Sequence, residues 1–202
     1  MSLRDRKRAR TRQALVDAAV ELIERNGYEA TTIADIAAAA EVGTRTFFSY
    51  FPSKEDVLFP EADRRVRAAV DAIAGRAPDE EPADVLVRAL RTANEESEDM
   101  TGPVAALRLR LTMEVPAVRG RGLQLQWQSQ REIARHLAAA FPDRLDEVSA
   151  SALVGAFVGA VTGALTTLME DPQRRADPAA VRESLQTATE IALRPWAPQV
   201  RP

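Results

Sequence analysis

Between Thr32 and Phe51 the sequence lays down two helical runs, each too short to stand alone, separated only by Glu41-Val42-Gly43. Isolated helices shorter than about a dozen residues are marginal in water, so this pair must be held by burial against something longer. Thr32 with Asp35 three residues on reads as a capping box, and Ile33, Ile36, Ala37 and Ala40 then share one face. The next run, Thr44 to about Tyr50, sets Phe47 and Phe51 four residues apart, where both can clamp the helix to its neighbours. The longer brace stands just upstream: Leu15, Ala18, Ala19, Leu22 and Ile23 recur at helical spacing from Thr11 to a stop at Asn26-Gly27. Three helices with a tight turn between the last two predict a helix-turn-helix unit.

Ser53 with Asp56 repeats the capping pattern and opens a fourth helix, continued through Val57, Leu58, Ala62, Val66, Ala69, Val70 and Ile73 to Gly75. The acidic, proline-bearing stretch Ala77–Asp84 is a loop. Further helical patterns run from Asp84 to Glu98, Val104 to Val115, Val118 to Ala140, Arg144 to Met169 and Pro178 to Arg194, with Asp177 and Pro178 suited to open the last. Leu107 to Leu111 alternates with a period of two, as a half-buried strand would. With no partner strand elsewhere it is assigned to a helix. The expected fold is all-α, with a helix-turn-helix domain over residues 1–60 and a second helical domain over 61–202.

Of the 202 residues, 46% are hydrophobic and 28% charged, enough to bury a sizeable core. The formal net charge is only -3, so any contact with a polyanion must be local. It is local: Arg4, Arg6, Lys7, Arg8, Arg10 and Arg12 face Asp5 alone, a formal +5 within the first twelve residues. Lys7 and Lys54 are the only lysines. Without cysteine there is no disulfide framework, thiolate metal site or thiol nucleophile, and a reducing cytoplasm is the expected home. The basic N-terminal run leads into an amphipathic segment and does not read as a secretory signal. A single histidine, His136, with no serine or cysteine motif around it, and the absence of phosphate-binding glycine loops argue against catalysis, a metal or a cofactor.

The stretch GYEATTIADIAAAAEVGTRTFFSYFPSKEDVL, Gly27 to Leu58, resembles the DNA-binding domain of the tetracycline-repressor (TetR) family of bacterial regulators. The resemblance rests on many fixed spacings: Gly-Tyr, Thr-Thr, Ile-Ala, a small residue, Val, Thr, two aromatics, Tyr-Phe, then Ser-Lys-Glu. It implies that the third helix enters a DNA major groove. Thr44 and Arg45, at the N-terminal end of that helix, become the expected base readers; Arg45 suits a bidentate contact to guanine. Thr46 and Ser49 lie on the same short helix and complete the set. Tyr50 can give its hydroxyl to a phosphate. The family usually has a second phosphate-binding tyrosine where Phe48 stands, and phenylalanine leaves only apolar contact with sugar or thymine methyl groups, or burial in the core. Lys54, at the start of the fourth helix, combines its charge with free backbone N–H groups and suits a phosphate. Thr32 either does likewise or serves only as a cap. The basic tail is expected to lie as an arm over the backbone or minor groove. The family often has serine where Gly43 stands.

In this family the remaining helices bind a small effector and form the dimer, so the partners implied are double-stranded DNA with an inverted repeat, a second copy of the chain and a small-molecule effector. Ser149 to Met169 carries no charge and has Gly155, Gly159 and Gly163 every fourth residue, leaving one face nearly bare. By length it could span a bilayer, but its Ala, Gly, Thr and Ser content and lack of aromatic anchors argue against that. The resemblance implies a dimer interface packed with the final helix, and a bare face that leaves room for ligand is the third alternative. Leu107, Met113, Trp127 and Phe157 are the candidate apolar walls of an effector pocket, of a lipophilic or acyl-type ligand. The resulting expectation is a homodimeric, ligand-released repressor. The competing one is an adaptor that binds a small molecule and has lost sequence-specific DNA binding, as the departures at Gly43 and Phe48 would allow.

Overall fold

The computed structural model describes residues 2–96, 102–170 and 177–194. Every regular element among them is helical: α1 (Leu3–Asn26), α2 (Ile33–Ala39), α3 (Thr44–Phe48), a 3-10 turn (Glu55–Leu58), α4 (Ala62–Ala74), α5 (Pro82–Glu96), α6 (Pro103–Glu114), α7 (Pro116–Ala140), α8 (Glu147–Glu170) and α9 (Pro178–Leu193). The all-α expectation therefore holds, and Leu107 to Leu111 lies within helix α6 despite its alternation. The expected extension of α5 to Glu98 falls outside the described residues.

The described residues form two compact units. One contains the chain through Pro60 together with Gly102–Gly122; the other contains the residues from Glu61 through 96 and those from Leu123 onward. In the first, Leu15, Ala19 and Ile23 of α1, Ile36 and Ala37 of α2, Phe47 of α3 and Phe51 make one buried core, joined by Leu107 and Leu111 of α6 and Val118 of α7. In the second, Ile73, Val85, Leu86, Leu137, Phe141, Leu153, Val154 and Leu193 bury one another, and Leu168 packs on Val181 and Leu185 of α9. Arg76 ties the second core from its edge, hydrogen-bonding the Ala140 carbonyl while its guanidinium lies 4.6 Å from the centre of the Phe141 ring.

Three local expectations change. Helix α1 starts at Leu3 rather than Thr11, because Ser2 and Asp5 form a reciprocal capping box that opens the helix inside the charged run. The basic segment is thus helix, not tail. Helix α3 ends at Phe48, short of Tyr50. The single fourth helix is two pieces, a 3-10 turn and then α4, because Pro60 disfavours helical backbone at the residue before it and Phe59 sits at φ -120°. The Ser53–Asp56 pair exists nonetheless: the Asp56 amide donates to Ser53 Oγ at 3.3 Å and that hydroxyl donates to the carboxylate at 2.8 Å.

Candidate nucleic-acid interface

The first unit presents a short helix whose inward side is aromatic and whose outward side is polar except for Phe48. Phe47 and Phe51 are 0% and 1% exposed with ring centres 5.7 Å apart, so they anchor α3, which at five residues has no stability of its own. Phe48, next to them, is 54% exposed and meets Phe47 edge to face. Thr44, Arg45 and Ser49 are exposed, and Thr46 and Tyr50 are half-buried. Ser49 spends its hydroxyl on the Thr46 carbonyl at 2.6 Å. Phe48 therefore takes no part in the core, and α3 places Thr44, Arg45, Phe48 and Ser49 together at the surface.

The turn leading into α3 takes its sharp bend at Glu41, whose φ of +54° is unusual for a residue with a side chain. Gly43 is extended at φ -80° and caps α3 without a side-chain hydrogen bond. Upstream, Thr32 is exposed and caps α2, its hydroxyl accepting from the Asp35 amide at 3.1 Å while the Asp35 carboxylate accepts from the Thr32 amide at 3.0 Å. The Thr32 hydroxyl also donates to the Asp35 carboxylate at 2.6 Å, and that bond, with the one from the Thr32 amide, holds the Asp35 carboxyl below its ordinary value.

The basic first turns of α1 run past the end of α3. The Arg8 guanidinium lies 5.6 Å from the Tyr50 ring centre, and Arg12, one turn on, lies 4.4 Å from that of Phe51. Arg12 also donates to the Tyr50 carbonyl at 3.3 Å and the Pro60 carbonyl at 2.6 Å, closing the exit of α3 against the start of α1. This brace was not anticipated. Its signal was register, since Arg12 stands three and four residues before the buried Leu15 and Val16.

Lys54 is already occupied. Its ammonium donates to the carbonyls of Tyr28 at 2.8 Å and Thr31 at 3.0 Å and lies 3.9 Å from the Tyr28 ring centre. Tyr28, 6% exposed, donates its hydroxyl to Glu55. Burial, together with that bond, pushes the Tyr28 hydroxyl above its usual range. Glu55 loses hydration, which alone would raise its carboxyl; hydrogen bonds from Tyr28 and Ser53 and the charge of Lys54 hold it below the ordinary value. Further along the same unit, Arg121 pairs with the nearly buried Asp56 at 2.7 Å, Arg108 donates to the Leu58 carbonyl at 3.2 Å, and Gly122 lies under the Phe59 ring so closely that a Cβ there would sit 3.2 Å from it.

The residues assigned to an effector pocket are divided between the two units. Leu107 is buried in the first unit's core and Met113, in the same unit, is 63% exposed; Trp127 and Phe157 belong to the second unit, the former 59% exposed beside Arg131, the latter half-buried on its core. Gly155, Gly159 and Gly163 face open space, with nothing within 4 Å of an added Cβ. Among the described residues no group of His, Cys, Asp and Glu is arranged to hold a metal.

The sequence pattern of "Bacterial regulatory proteins, tetR family" matches residues 15–59. The HTH-type transcriptional regulator TcmR of Streptomyces glaucescens is 33% identical over 150 residues, which cover 72% of this chain and 66% of TcmR. The chain belongs to the TetR family. TetR-family proteins are transcriptional regulators and not enzymes. The fatty acid metabolism regulator protein of Bacillus subtilis (strain 168) is 46% identical over 44 residues, 22% of this chain and 23% of that protein. The TetR fold extends along the chain: a TetR-family regulator from Syntrophomonas wolfei str. Goettingen superposes with a TM-score of 0.63 at 19% identity, over 91% of this chain and 95% of the other. FadR of Thermus thermophilus, solved in complex with lauroyl-CoA, does so with a TM-score of 0.59 at 21% identity, over 95% and 96%.

Proposed function

We propose that the protein is a cytoplasmic, homodimeric, ligand-released repressor whose two heads read an inverted-repeat operator. The observation that carries the DNA contact is the exposed face of α3, where Thr44, Arg45 and Ser49 stand free of the core that fixes the helix, flanked by the cations of α1. An N-terminal recognition-helix arginine offers two parallel donors, the geometry that selects guanine in the major groove. Phe48 adds an apolar surface for thymine methyl or sugar, Thr46 stands behind the base readers, and Tyr50 offers its hydroxyl to a phosphate. Arg4, Lys7, Arg8 and Arg10 supply sequence-independent, salt-sensitive attraction from a rigid helix rather than from a loose arm.

Two identical heads related by a two-fold axis require a palindromic operator. For the pairing surface we propose the bare face of α8 around Gly155, Gly159 and Gly163. Glu147–Leu168 is, among the described residues, the one helix long and apolar enough to cross a bilayer, and little of it is buried within a single chain. A second copy covers such a face as well as lipid would. For the effector we propose a lipophilic or acyl-type compound, the kind of molecule with which the fold neighbour FadR was solved, held in the second unit with Phe157 on its wall.

The test is affinity selection of the purified protein against random duplex DNA, followed by binding at low and moderate salt. An enriched inverted repeat is expected, and its complex should dissociate when acyl-CoAs or fatty acids are added. Salt-labile binding with no enriched sequence would remove the operator claim and favour the adaptor, and an operator complex indifferent to lipophilic compounds would remove the effector class alone.

A further inference from the structure

Lys54 is a cation at the edge of the recognition surface, and its surroundings assign it different work from that of Arg45 or Arg8. An ammonium has three N–H donors. Two of them are satisfied by the carbonyls of Tyr28 and Thr31, at 2.8 and 3.0 Å, and the charge lies over the Tyr28 ring at 3.9 Å. Its neighbour Glu55 accepts from the Tyr28 hydroxyl, so the two consecutive residues grip the same tyrosine from opposite ends. The charge of Lys54 also acts on the Glu55 carboxylate, within the same group of residues that holds the turn.

What they grip is the turn between α1 and α2. Thr31, 1% exposed, donates its hydroxyl to the Gly27 carbonyl at 2.8 Å, and its amide donates to the Tyr28 carbonyl at 3.3 Å. The next residue is Thr32, the cap of α2, and α2 carries the Ile36 and Ala37 side chains that share a core with Phe47 of α3. A shift in this turn is passed directly to the attitude of α3. We propose that Lys54, with Glu55 and Tyr28, is an internal positioning clamp that sets the recognition helix, and that its ammonium is not a phosphate ligand. This rests on the DNA-binding function proposed above.

The experiment compares the wild type, Lys54→Met and Lys54→Arg in binding to the selected operator and to a scrambled duplex across a salt series, alongside amide hydrogen exchange of the free protein. For Lys54→Met the clamp requires the operator-to-scrambled affinity ratio to fall by about tenfold, roughly one good base contact, with scrambled-duplex affinity and salt slope unchanged. Lys54→Arg, which keeps donors and charge, should recover part of the ratio. A phosphate ligand behaves otherwise: both duplexes weaken together and the salt slope drops by about 0.9 per head, which would overturn the proposal. A lower melting temperature with an unchanged ratio would overturn it too, leaving Lys54 a purely structural residue. If the wild type binds no duplex, the DNA function falls, and exchange then judges the clamp by itself: faster exchange at Thr31–Asp35 in Lys54→Met supports it, and unchanged exchange ends it.

Discussion

Arg45 and Arg12 are both arginines within the first unit, and their surroundings separate them. Arg45 is exposed on α3, whereas Arg12 is braced against two carbonyls and the Phe51 ring. Arg45→Ala should therefore leave the melting temperature within a degree or so of wild type while costing about 1–3 kcal/mol of operator affinity, concentrated at one base pair of each half-site. Competition titrations against single-base operator variants would show it, and uniform weakening at all positions would reduce Arg45 to a backbone contact. Arg12→Met should do the reverse. Loss of hydrogen bonds from a charged, partly exposed donor is expected to destabilise the first unit by about 1–2 kcal/mol, read by denaturant unfolding. Register set Arg12 on the buried side of α1, but the partners of neither brace were legible in the sequence: Arg12 reaches carbonyls 38 and 48 residues away, and Lys54 reaches back 26 and 23, distances over which no periodicity carries information.

At the scale of elements, the local grammar was the legible part. Thr32 with Asp35, Asp177 with Pro178, and the Phe47–Phe51 spacing each announce a boundary or a buried face through contacts within four residues, and all three are present. The start of α1 was hidden because Ser2 and Asp5 are embedded in a charged run that resembles a solvated tail. The break after Leu58 lay in plain view at Pro60 and was outweighed by an apolar spacing that continued beyond it. These caps predict acid sensitivity. Asp5 and Asp35 are held below the ordinary aspartate value of 3.8 by hydrogen bonds from Ser2 and Thr32. A carboxyl depressed in the folded state binds its proton more readily when unfolded, so its stabilisation is present above 3.8 and fades as pH falls through the lower folded value. Thermal melts from pH 5 down to pH 2 should show declining stability, with Asp35→Asn flattening part of the decline. An identical decline in that variant would mean the α2 cap makes no such contribution.

For the whole molecule, the sequence announced an all-helical chain with a recognisable head but could not show that Gly102–Gly122 joins that head, since the union depends on Leu107, Leu111 and Val118 meeting α1 to α3 across a long stretch of chain. Dimerisation can be tested without disturbing the single chain, because Gly159 is exposed and a side chain there meets nothing within 4 Å. Gly159→Arg should give a folded monomer by sedimentation, with helicity retained and operator affinity largely lost; a surviving dimer would move the interface off this face. The clamp at Lys54 has one more consequence, for chemical labelling. With only two lysine side chains in 202 residues, amine-reactive reagents have one exposed ε-amine at Lys7 and one held at Lys54. In the free protein Lys7 should acylate rapidly and Lys54 slowly, before any nucleic acid is present, as peptide mass spectrometry would record. Protection of Lys54 is then a gauge of the folded head itself, and Lys7, on the basic face of α1, is the position whose shielding would report the arrival of a duplex.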